Sequence, residues 1–156
     1  MSHVNPKQDN KDIGKKRNFN SKWPGEILWK KELTTELDVE VPEWGFSSSP
    51  VIIGNQLLLE VGRVVSFNKL TGERQWQTDK HDAGYGSVAV LDLPNHPRCV
   101  ASLDCDGLRI VRFETGEEVT LQAWKSPFRT NSTTPIVSGN RVFISTGYNI
   151  GCALFD

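Results

Sequence analysis

A chain of 156 residues, 37% hydrophobic and 24% charged, has the composition of one ordinary globular domain and too many apolar residues for a disordered polymer. No apolar run approaches the roughly 20 residues of a membrane-spanning helix, and the opening MSHVNPKQDN holds no hydrophobic stretch of the kind a signal peptide requires, so the sequence as read places the chain in the cytoplasm. The formal net charge of −1 argues against a nucleic-acid or anionic-membrane surface spread over the whole domain.

The first 22 residues depart from that balance. Lys7, Lys11, Lys15, Lys16, Arg17 and Lys22 stand against only Asp9 and Asp12, a local charge of +4. After Met1 the sizeable apolar groups there are Val4, Ile13 and Phe19, too little surface to offset the ordering entropy, so residues 1–22 read as a flexible basic arm. Next comes a single outer strand over 26–32. From residue 45 onward, short runs rich in Val, Ile, Leu and Phe recur between Gly, Asn, Asp and Pro turn signals, with almost no helical periodicity. The predicted strands lie at about 47–53, 56–61, 63–68, 73–79, 86–92, 98–103, 108–114, 117–122, 132–138, 141–146 and 150–155. The fold class is therefore all-β, and parallel α/β architectures are excluded.

The strands repeat. SPVIIGNQLLLEVG at 49–62 aligns without gaps on TPIVSGNRVFISTG at 134–147, pairing Pro50 with Pro135 and Gly54-Asn55 with Gly139-Asn140 at an offset of 85 residues. A degenerate copy lies between, and its Thr115-Gly116-Glu117 falls 44 residues after Thr71-Gly72-Glu73. The larger offset is two units of about 42 residues, the length of a four-stranded propeller blade. GERQW at 72–76 also has a counterpart in GEILW at 25–29, so Trp29 matches Trp76. A glycine turn that tolerates positive φ reverses the chain into the outermost strand. Period-two alternation then aims the indole from a defined face, where it buries on the order of 150–250 Å² against the neighbouring blade. Trp29, Thr71, Gly72, Trp76, Thr115 and Gly116 are the predicted blade-docking residues.

On these residues the chain resembles the quinoprotein-like, pyrroloquinoline-quinone-repeat β-propeller family, similar to the outer-membrane assembly lipoprotein propeller and to quinone-dependent alcohol dehydrogenases. Ser66, Asn68, Thr71, Gly72 and Trp76 occupy the positions of the A-x-D-x-x-T-G-x-x-x-W docking motif, with Ser for Ala and Asn for Asp. The middle copy lacks its tryptophan, and Trp124 stands displaced from that role; the last copy reaches Phe155-Asp156, aligned with Phe67-Asn68. The resemblance covers about residues 23–156 and implies a propeller, with export to the periplasm or beyond in place of the cytoplasmic reading.

The units are the outer strand at 26–32, blades at 46–80 and 86–125, and a partial blade at 132–156. Closed propellers have 4–8 blades, so the expectation is an incomplete ring with unpaired edges and uncovered apolar faces at both ends. Two explanations compete: a fragment of a larger propeller, or a homo-oligomer in which the outer strand of one copy completes the three-stranded blade of another.

Chemistry is sparse. Asp104-Cys105-Asp106-Gly107 resembles the start of a calcium loop, which makes Asp104 and Asp106 metal candidates, but it lacks the third oxygen ligand and the distal Glu, and its place between two blade strands fits a hairpin turn. His81, clustered with Asp79, Asp82 and Tyr85 on a blade connector, is a candidate ligand contact at one propeller mouth, against the alternative of a solvated connector. His3 and His96 lie in the arm and in the loop between Pro94 and Pro97. Cys99, Cys105 and Cys152 form no CxxC pair, although a Cys99–Cys105 bridge is conceivable. Asn131-Ser132-Thr133 fits a glycosylation sequon. The dehydrogenase relatives imply pyrroloquinoline quinone and calcium, yet their tryptophan floor, calcium ligands, Asp base and paired cysteines cannot be laid on matching positions, so no catalytic residue and no cofactor is expected. The resulting expectation is a non-catalytic interaction scaffold that binds protein partners or the remaining blades, by mouth loops or by strand addition at an edge. The alternative is a remnant of a quinone-dependent alcohol or polyvinyl-alcohol dehydrogenase.

Overall fold

The computed structural model describes residues 25–93 and 95–156; the basic arm over 1–22 lies outside the described residues. The strands form three antiparallel meanders. Blade A holds β1 (Val51–Ile53), β2 (Gln56–Glu60), β3 (Val64–Asn68) and β4 (Arg74–Gln77), and blade B holds β5 (Ala89–Leu91), β6 (Cys99–Leu103), β7 (Gly107–Arg112) and β8 (Glu118–Ala123). Blade C holds β9 (Ile136–Ser138), β10 (Arg141–Thr146) and β11 (Gly151–Phe155). Together they make an arc of β-propeller.

The two four-stranded blades repeat in detail. Ser66 pairs with Trp76 and Ile110 with Thr120, and each of these outer ladders carries a bulge directly after that pair. Thr120 thus stands where blade A has its tryptophan. The inner strands β1, β5 and β9 are shorter than the sequence pattern predicts, because the residues ahead of them leave the ladder to bond the next blade. Ser49 N–H donates to Ser87 Oγ at 2.8 Å, and Ser87 N–H donates to Thr134 Oγ1 at 3.0 Å. Equivalent positions of all three blades are thereby linked one to the next.

Alternation sorts each strand between two cores. Leu58, Val64 and Trp76 of blade A meet Val88, Val100, Val111 and Phe113 of blade B, whereas Val61, Val65 and Phe67 turn to the opposite face. The other face of blade B, with Leu91, Ala101, Leu103 and Leu108, packs on Val142 and Ile144 of blade C.

The joint between blades A and B is built on the tryptophan. Trp76 is 9% exposed, and its Nε1–H donates to Phe113 O at 3.0 Å. Gly116, at φ 73°, lies under the ring so closely that an added Cβ would sit 2.4 Å from Trp76 Cε3. Trp29 makes the same joint with blade A: its Nε1–H donates to Lys69 O at 3.0 Å, and a Cβ on Gly72, at φ 71°, would meet its ring at 2.7 Å. In both cases the acceptor is the carbonyl three residues before the glycine. Thr71 and Thr115 shape these turns by accepting the N–H of Glu73 and of Glu117.

Two expectations need correction. Residues 26–32 form no strand, because none of the described strands runs beside them to supply a ladder; the segment is held through the Trp29 side chain instead. The free face of blade A is also not bare. A short helix that the sequence pattern did not reveal, α1 (Leu33–Leu37), with Val39 beyond it, lays Leu37 and Val39 over Val65 and Phe67. Arg63 clamps it by donating to Leu37 O and Thr78 O at 2.8 and 2.6 Å. At the opposite end of the arc, Phe143 pairs with Ile136 and Leu154, both exposed, and this apolar row has no cover among the described residues.

Replacing Trp76 with Ala is expected to cost roughly 3–5 kcal/mol in denaturant unfolding. A sharper measurement compares Gly116→Ala with Gly54→Ala. Both glycines have positive φ, but only Gly116 lies against a ring, so its substitution should cost about 1–3 kcal/mol more from overpacking; equal costs would show that the glycine serves the turn alone.

Candidate functional site: a cleft at the connector end of the blades

The turns between the second and third strands of each blade and the connectors between blades converge on one end of the arc. There residues 40–43, 62, 80–83, 85, 105 and 128–129 line a cleft of about 270 Å³. A second cavity of about 280 Å³, lined by Glu43, Trp44, Phe128, Thr130 and Tyr148, shares Glu43 and Phe128 with it. The predicted blade-docking residues other than Trp29 and Trp76 lie on the turns at the opposite end, so joint and cleft use separate parts of the repeat.

His81, singled out in the sequence on a connector, is not a solvated residue. Its side chain is 3% exposed, and Nε2 lies 3.0 Å from Glu60 Oε2 and 3.7 Å from Asp104 Oδ2. Nδ1 lies 3.2 Å from Asp79 O. Both ring nitrogens face oxygen acceptors, surroundings that favour the protonated ring. Burial works against that charge, but the Glu60 hydrogen bond and the charges of Glu60 and Asp104 outweigh it, with Arg109 opposing, and the His81 pKa is raised above 6.5.

Asp104 and Asp106 do not form a metal pair. Asp104 Oδ1 accepts the N–H groups of Asp106 and Gly107 at 2.8 and 3.1 Å, in the manner of an Asx turn, and Oδ2 accepts Arg109 Nε at 2.7 Å. Burial raises the Asp104 carboxyl above its ordinary value, against the pull of His81 and Arg109. Asp106 faces Lys125 instead, at 3.1 Å. Among the described residues no three His, Cys, Asp or Glu side chains are grouped to hold a metal.

Sequence reasoning missed Glu60 and Arg109 as partners in this site. Glu60 lies on β2 as part of an otherwise apolar strand, 21 residues before His81, and Arg109 reaches on to Glu118 of β8. Local spacing holds no signal for such a network. Its extension runs through the sequon: Asn131 is fully buried, donating to Asp104 O and Trp124 O and accepting from Thr146 Oγ1. A glycan acceptor must be exposed, so here Asn131 is a structural amide. Trp124 Nε1–H donates to Thr146 Oγ1 at 3.0 Å, carrying the contact into blade C from the cleft end. Cys99, Cys105 and Cys152 are free thiols. Burial, with the charge of Asp104 adding to it, pushes the Cys105 thiol up to about 11, which leaves it without thiolate character at neutral pH.

The histidine gives the buried ion network at the cleft end a pH dependence with a defined sign. A folded-state pKa above the unfolded value contributes stability that is fully present below 6.5 and is lost as pH rises through the folded value. Thermal unfolding followed from pH 6 upward, about where an unperturbed histidine titrates, should therefore show a falling midpoint. The His81→Gln variant should be less stable at the acid end and flatter across the same window; a parallel decline in both proteins would remove His81 as the cause.

A family model described as outer membrane protein assembly factor BamB matches residues 21–155. No curated protein matches the chain. With its repeated antiparallel blades, its Thr-Gly turns and its docked tryptophans, the chain belongs to this family of pyrroloquinoline-quinone-repeat β-propellers.

Proposed function

We propose that the chain is a non-catalytic recognition segment whose connector-end cleft binds an extended stretch of a partner protein. The observation that supports it most is the composition of that end: Val41, Trp44, Phe128 and Tyr148 are all exposed, on the loop before blade A, the connector between blades B and C and the β10–β11 turn, and all four line the two adjoining cavities that share Phe128. Aromatic side chains on a rigid scaffold, ringed by charged groups, are the usual anchors of a protein interface.

The cleft offers little to a catalytic reading. The His81 ring nitrogens and the Asp104 carboxylate are engaged in the ion network, and Cys105 is held as a thiol. Nor do the residues suit pyrroloquinoline quinone. Among the described residues Trp29, Trp76 and Trp124 are committed to blade contacts, and the cleft cations Lys80 and Arg129 that could meet its carboxylates are already paired with Glu40 and Asp82. In this proposal the relatives' role in outer membrane protein assembly carries over, together with export to the periplasm. The row Ile136, Phe143 and Leu154 is then covered by further blades or by a second copy, which light scattering distinguishes.

A photo-cross-linking residue placed at position 128 and, separately, at exposed Leu70 on the opposite turns tests the reading in the source cells. Position 128 should yield a discrete adduct with a protein of the outer membrane assembly machinery and position 70 should not. The same adducts from both positions, or none from 128, would rule out the cleft as the recognition surface.

A further inference from the structure

We infer that Trp44, Phe128 and Tyr148, with the carboxylate of Glu43, form an aromatic cage that accepts a lysine or arginine side chain of the partner segment. This deepens the recognition reading above and rests on it for the source of the cation.

The chemistry of the lining points to a positive charge. The three rings are 72%, 63% and 57% exposed, and with Glu43 and Thr130 they line one cavity of about 280 Å³, far more than the roughly 30 Å³ share of a water. Phe128 and Tyr148 meet edge to face, with centroids 4.8 Å apart and planes at 66°. In that arrangement the two rings do not stack face to face, which leaves ring faces that are not covered by each other, and an ammonium or guanidinium is attracted to such a face.

The surrounding charges say how many cations the site is short of. Glu40 pairs with Lys80 at 3.8 Å, Asp82 pairs with Arg129, and Asp106 pairs with Lys125 at 3.1 Å. Among the described residues Glu43 has no such partner, although it lines both cavities. Among the described residues, each of the other charged side chains lining the two cavities is matched by a partner, and Glu43, beside the rings, is the exception. The cage therefore has one unit of negative charge to offer a visitor.

Backbone conformation supports the same reading. Tyr148 and Asn149 are both left-handed, at φ 59° and 63°, in the turn closed by Ile150 N–H to Gly147 O. Glycine, asparagine or aspartate is the usual occupant of the first central position of such a turn, and a ring there is disfavoured. The tyrosine at that place brings its ring to Phe128 and to the cavity.

The test uses the whole chain and three probes: N-acetyl-lysine-N-methylamide, the arginine counterpart, and the lysine compound with its Nε acetylated, which keeps length and loses charge. Binding is read from the Trp44 indole NMR signal, assigned by its disappearance in Trp44→Phe. Each cationic probe should shift that signal and bind about tenfold more tightly than the neutral one, with a gap that narrows as salt is raised. Glu43→Gln should shrink the gap and Phe128→Ala should remove the shift; both residues are exposed, and an unchanged melting temperature verifies the fold. Equal binding of charged and neutral probes, or shifts centred away from Trp44 and Tyr148, would overturn the cage. An adduct at position 128 without charge discrimination would leave the docking cleft standing and the cage refuted. Charge discrimination without an adduct would uphold the cage as a cation site and refute the partner.

Discussion

An indole lying on a left-handed glycine is the contact on which the arc depends. Each blade is a sheet of three or four short strands, too small to bury both faces alone, and blade A meets blade B through the cluster around Trp76. Apolar contact is non-directional, so the cluster alone would let the sheets slide or rotate. The indole N–H bond to a turn carbonyl, made by Trp76 to Phe113 and by Trp29 to Lys69, fixes the angle and height at which the faces meet. The glycine then has two reasons to be glycine: its φ is positive, and the space of a side chain is already filled by the ring.

At the other end of the blades the fastening is polar. Glu60, His81, Asp104 and Arg109 form a buried ionic chain, and the Asp104 carbonyl passes the contact to Asn131, Thr146 and Trp124. Burying charges is costly, and such networks are tolerated only when their members are hydrogen-bonded; among the described residues no buried side-chain nitrogen or oxygen lacks a partner. Because the chain crosses from blade A through blade B to blade C, it holds the connectors that line the cleft against one another. The cleft end is braced for that reason, and its exposed aromatic rings sit on an anchored floor.

Strand placement was legible in the sequence because two-residue alternation and Gly-Asn or Thr-Gly turns are local signals, and each predicted strand from 47 onward has its counterpart in the structure. The hairpin reading of Asp104 to Gly107 was legible for the same reason. Residues 26–32 were misread as a strand because the GEILW pattern specifies a tryptophan's position, whereas a strand also requires a neighbour. The helix at 33–37 escaped notice because five residues are too few to show a period, and its start is set by Glu32 capping Thr34 and Thr35. The cleft was only half legible. His81 stood out by residue type, but its partners come from β2, a turn and β7, and Trp44, Phe128 and Tyr148 are single aromatics on separate loops with no shared spacing.

The joint is addressed relative to the glycine and not to a fixed count of residues between blades. Trp29 and Trp76 are 47 residues apart while Gly72 and Gly116 are 44 apart, yet each indole reaches the carbonyl three residues before its glycine. Units of this kind behave as interchangeable tiles: gene duplication can add them and drift can lengthen or shorten their loops, so long as each tile keeps its own peg and the next keeps its socket. Blade B, which has Thr120 in place of the peg and uses Trp124 from the far end instead, marks how far that freedom extends before the fastening has to be reinvented.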